Sequence, residues 1–145
     1  MFVGENESED VVRAGLIKFL PCDFEKEKLC ISKKQAVGFG ERKIIIFDIF
    51  LEKERHSSAV LSSLLGLLDD SQKRKIFRQL ESRLDNDLFF FLRFDKESLI
   101  KENKLVLTDE GNCYHFRMCV AAYPKKMDVA LKMLKELFNV KDDER

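Results

Sequence analysis

The sequence contains no tryptophan, and only two prolines and six glycines in 145 residues. That scarcity excludes collagen-like and low-complexity material. No apolar run approaches the roughly 18–20 residues that a membrane-spanning helix requires, and no basic-then-apolar signal peptide opens the chain. The four cysteines, at 22, 30, 113 and 119, form no C-x-x-C pair and lie within apolar stretches. Free thiols in a reducing cytosol are therefore expected rather than a disulfide frame. There is no internal repeat and no strand–glycine loop–helix signature for phosphate, so nucleotide-binding folds lose their main support. An excess of charge of one sign is also missing, with 26 Lys+Arg against 26 Asp+Glu. A binder that grips nucleic acid by bulk charge is excluded on that count.

The zero hides a pattern. Residues 1–10 carry Glu5, Glu7, Glu9 and Asp10 with no base, and the tail at about 140–145 carries Asp142, Asp143 and Glu144. Between these ends, 11–138 holds 24 basic and 19 acidic residues, a body of +5. Such a body tolerates an anionic partner without being saturated with charge.

Length and a 45% hydrophobic content predict one globular domain over 1–145. Helical periodicity predicts helices over about Asn6–Leu20, Ser57–Leu68 and Gln72–Leu84, and one starting at or just after Pro124. Strands are expected at about Lys28–Lys33, Lys43–Leu51, Leu88–Phe94, Lys104–Thr108 and Tyr114–Ala122, the first two joined as a hairpin through Gly38 and Gly40. The order α-β-β-α-α-β-β-β-α, with a short extra strand at the N-terminus as an option, is α+β. Its sheet is mostly antiparallel, with helices packed on one face.

The catalytic inventory is thin. His115 and Cys119 lie about 13 Å apart on one strand, too far to share a metal ion. The pairs Asp69/Asp70, Asp85/Asp87 and Asp109/Glu110 fall at helix ends and turns, where Asp bonds local backbone. No enzyme, metal or cofactor is expected. Bases and rings say more. If helices cover the Phe90/Phe116 side of the paired strands, Phe89, Phe91, Arg93, His115 and Arg117 share the opposite side. That surface reads either as a stacking platform for unpaired bases or as a face buried in a dimer. The helix Gln72–Leu84 adds a further basic face through Lys73, Arg74, Lys75 and Arg78, which reads as phosphate-binding or as plain solvated charge.

Two segments go beyond pattern: LRFDK over 92–96, and VAAYPKK over 120–126 ahead of a helix. Together with the acidic opening ESEDVVRAGLIKFLP, the glycine loop and the acid-rich 84–87, they resemble an archaeal RNA-binding family described as predicted exosome subunits. The resemblance implies a fold like that of the ribosomal protein that binds 5S RNA, a cytoplasmic location, and RNA binding without catalysis. It also implies homodimers and contact with exosome components. Carried over by motif, it points to Arg93, Asp95, Lys96, Tyr123, Lys125 and Lys126, to which the strand pattern adds Arg117. The chain departs from the family in a shorter first strand and in Glu97, where Gln is usual. Asp95 at a strand end can equally cap a turn, and Tyr123-Pro124 can end a strand and launch a helix.

Overall fold

The computed structural model describes residues 1–4, 7–20, 31–37, 40, 43–109 and 113–139. Among them the order is β1 (Phe2–Val3), α1 (Glu9–Ile17), β2 (Ser32–Val37), β3 (Lys43–Asp48), α2 (Glu54–Leu67), α3 (Asp70–Arg78) and α4 (Leu80–Arg83), then β4 (Phe89–Asp95), α5 (Lys96–Glu102), β5 (Cys113–Cys119) and α6 (Met127–Leu137). The class is α+β, as expected. The strands, however, form two antiparallel sheets, β1-β3-β2 and β4-β5.

The first helix is shorter than its apolar stripe suggests. Ser8, not Asn6, caps it through Val11 N, and Asn6 lies outside the described residues. One-turn bonds from Lys18, Phe19 and Leu20 back to Gly15, Leu16 and Ile17 keep the chain coiled to Leu20. The first half of the expected strand Lys28–Lys33 falls outside the described residues, and the hairpin that is seen pairs Ser32–Val37 with Lys43–Asp48. The expected helix over Gln72–Leu84 breaks at Gln79 into α3 and α4. Asp69 caps α3 by accepting from Gln72 N at 2.8 Å.

The strand expected at Lys104–Thr108 shrinks to a narrow bridge against β4, made by Asp95 N to the Val106 carbonyl and Thr108 N to the Arg93 carbonyl. The side chain of Gln72 takes up Leu107 N at 3.0 Å, so this short segment is tied to α3 instead of lengthening the ladder. Before β4, the Asp85 carboxylate accepts from Asp87 N and Phe89 N, which closes the acid-rich turn. Leu88 there adopts φ 64, an unfavourable region for a bulky side chain that is offset by its burial.

One cluster joins both sheets and all the longer helices: Val3 and Phe47 from the first sheet, Phe90, Leu92 and Phe94 from β4, with Val12, Leu64, Ile76, Leu99 and Leu134. Phe19 anchors an aromatic group at its centre, 4.7 Å from Phe116 and 5.9 Å from Tyr114 by ring centroids. The Tyr114 hydroxyl donates to the Val12 carbonyl at 2.9 Å. Burial holds that phenol well above its ordinary pKa, so it stays protonated and remains a donor.

Candidate nucleic-acid interface

Strand alternation makes the site. In β4, Phe90, Leu92 and Phe94 are fully buried, while Phe89, Phe91 and Arg93 point the other way. The register sets Phe91 opposite Arg117 and Arg93 opposite His115, so all four share the outer face with Phe89 and Cys119. The sequence parity is realised.

The rings on this face are half-buried because their neighbours cover them. The Arg117 guanidinium lies 3.9 Å from the Phe89 centroid. The His115 imidazole stacks on Phe91 at 5.8 Å with an interplanar angle of 14°. Both contacts run diagonally across the ladder, one pair offset from the direct partners, as the twist of an antiparallel ribbon allows. Arg93, His115, Arg117 and Cys119 are the exposed members. Burial, then Arg93, the α-amino group of Met1 and Arg117, pushes the His115 imidazole below its usual pKa, so it is neutral at pH 7. At the far end of the face, burial raises the Cys113 thiol.

Two expected contacts prove to be structural. Lys96 is only 5% exposed, and its ammonium donates to the Glu7 carboxylate at 3.3 Å. It faces the first helix instead of solvent, which corrects the expectation of a phosphate contact there: a buried, paired ammonium has no open donor to offer. Asp95 caps α5, accepting from Ser98 N at 3.0 Å and from the Ser98 hydroxyl at 2.6 Å. The negative charge of Glu97 is met by Lys101 one turn on, at 2.6 Å.

From Cys119 the chain runs on to Tyr123, Lys125 and Lys126, all exposed. Tyr123 is 96% exposed. Tight bonds on either side, Ala122 N to the Val120 carbonyl and Lys126 N to the Pro124 carbonyl, fold the backbone around it. The strand ends before Tyr123-Pro124, at Cys119, and α6 begins three residues after Pro124. Lys73, Arg74, Lys75 and Arg78 sit on α3, whose Ile76 packs into the core from the Phe90 side. They are carried by a helix and not by the β4–β5 ladder that holds Arg93 and Arg117. Among the described residues, no group of three or more His, Cys, Asp or Glu is placed to hold a metal ion.

An antiparallel pair buried on one side by helices, with a guanidinium and an imidazole laid against rings on the other, defines the class: an α+β protein with an aromatic and basic sheet face. A family model described as RNA binding matches residues 1–120, and the chain belongs to that family. It is similar to RNA-binding protein PAB1135 of Pyrococcus abyssi, 21% identical over 97% of this chain and 91% of that one. The fold is shared with protein AF2318 of Archaeoglobus fulgidus, at TM-score 0.79 and 22% identity over 94% of this chain and 93% of the other. Protein SSO0741 of Sulfolobus solfataricus shares it too, at TM-score 0.77 and 21% identity over 96% and 93%.

Proposed function

We propose that this chain is a non-catalytic RNA-binding protein that engages RNA through the outer face of the β4–β5 hairpin. The observation that carries the reading is the exposure of Arg93 and Arg117 on one face, in a chain of an RNA-binding family. Lys125 and Lys126, with Tyr123, extend that face from the Cys119 end. Arginine and lysine there supply phosphate contacts, which position RNA without reading its sequence. The name of the Pyrococcus relative supports the same partner. The accessory role in RNA processing, contact with exosome components, the likeness to the 5S-RNA-binding ribosomal protein, the single-domain organisation and the cytoplasmic location all rest on the motif resemblance and the composition. Pairing of two copies through Phe89 and Phe91 has weaker support. Both rings already carry a polar cap, so RNA is preferred to a dimer module at this face.

Fluorescence anisotropy with labelled RNA at low and moderate salt tests the reading. The wild type binds more tightly than a neutral control protein. Arg93→Ala combined with Lys125→Ala weakens binding about tenfold or more, each phosphate contact being a charge-assisted bond of roughly 1.5–3 kcal/mol in the limit of good geometry. Binding no tighter than the control overturns the proposal.

A further inference from the structure

We infer that the RNA taken by this face is single-stranded, its unpaired bases stacking on the outer planes of Arg117 and His115 and not on the phenylalanines beneath. The inference rests on the RNA-binding reading above and names the class of RNA.

Phe89 and Phe91 are half-buried, and the residues lying over them are exposed, so the surface offered to a ligand is a guanidinium and an imidazole. Both are planar. The imidazole lies within 14° of the Phe91 plane and the guanidinium carbon sits 3.9 Å from the Phe89 centroid, so both groups are already positioned by a ring before binding. Guanidinium and aromatic planes are the groups on which splayed-out RNA bases stack. A stack of three layers results, phenyl, cap and base, with the cap immobilised by its own hydrophobic neighbour.

Spacing then selects the strand. His115 and Arg117 are two residues apart on β5 and share a face, which sets them about 6.8 Å apart at 3.4 Å per residue. Bases in a duplex repeat at about 3.4 Å along each strand. Two adjacent nucleotides can reach both planes only when unstacked and extended. A duplex presents its bases edge-on within the grooves and has no free plane to lay on either cap. Arg93 stands directly across from His115, beside the stack, where it meets the phosphate of the same nucleotide. The neutral imidazole gives His115 a stacking role and leaves charge to the arginines. Tyr123, four residues past Cys119, is a further exposed ring close in sequence to the hairpin.

The test uses the full chain and three probes of equal length: an oligouridylate, the same strand annealed to its complement, and a strand with every base removed but all phosphates kept. The single strand binds best. The abasic strand binds at least about fivefold more weakly, since base stacking is worth roughly 5- to 150-fold per base. Arg117→Lys, which keeps the charge and loses the plane, and His115→Ala each cost about fivefold or more on the single strand. His115→Tyr restores most of the loss, and a 2-aminopurine placed in the strand is quenched less by the lysine and alanine variants. Equal binding of duplex, abasic and ordinary strands by the wild type overturns the inference while leaving RNA binding itself standing. Binding of none of the three overturns both. The abasic comparison needs no variant, so a poorly folded mutant does not shelter the inference.

Discussion

A single missing methyl group shows how tightly the core is fitted. Gly15 lies on α1 where a Cβ would come within 2.8 Å of Tyr114 Cζ and closer still to its hydroxyl. In a solvent-facing helix, Gly→Ala stabilises by about 1 kcal/mol. Here the added methyl must displace a buried ring that is held by its bond to the Val12 carbonyl and packed against Phe19. Overpacking of that kind costs about 1–3 kcal/mol, so the steric cost exceeds the helical gain. Gly15→Ala is expected to lower the urea midpoint with the m-value unchanged; a raised midpoint would show that Tyr114 is not where the core holds it. Tyr114→Phe tests the same contact from the other side, with an expected loss of about 1 kcal/mol for one hydrogen bond.

At the scale of elements, the paired strands were legible and the short helix between them was not. Period-two alternation in 88–94 and 114–122 sorts the side chains into two faces without saying which is covered, and the burial of Phe90, Leu92 and Phe94 decides it. The covering of Phe89 and Phe91 was not legible, because a diagonal contact depends on register, which no alternation encodes. The helix α5 is hard to read from sequence because it follows β4 with no intervening loop. Asp95 is at once the last residue of the strand and the cap of the helix. Its only sequence signals are that Asp, a Ser three positions later and Asn103, which takes up the left-handed conformation at the helix end. The pairing of Lys96 is illegible for a different reason, since its partner Glu7 is 89 residues away and becomes a neighbour only in the fold. Lys96→Met therefore separates structure from binding. Removing one member of a buried ion pair costs about 3–5 kcal/mol where the remaining charge stays buried, but Glu7 is 27% exposed and keeps the bond it accepts from Gly4 N, which holds the cost below that range. The variant is expected to shift stability by less than about 2 kcal/mol and to leave RNA affinity unchanged in anisotropy. A tenfold loss of affinity in a folded Lys96→Met protein would return Lys96 to the interface.

For the whole molecule, the balance of charge decides how RNA is held. The chain is neutral overall, so there is little net field to draw a polyanion from a distance. Attraction has to come from cations standing where the strand lies. The hairpin face and its extension offer four, Arg93, Arg117, Lys125 and Lys126, once Lys96 is withdrawn into its pair with Glu7. A single strand releases about 0.7 counterion per neutralised phosphate, so four contacts predict a slope of log affinity against log salt of about −3. Each of the four changed to alanine is expected to flatten that slope by about 0.7. The bases of α3 supply the discriminating outcome. With RNA confined to the hairpin face and its extension, Lys73, Arg74, Lys75 and Arg78 of α3 contribute nothing to the slope. A measured value near −6, flattened by charge removal on α3, would mean that the strand wraps from the hairpin onto the helices. A slope near −3 that responds only to the hairpin and to Lys125 and Lys126 confines it to the one face.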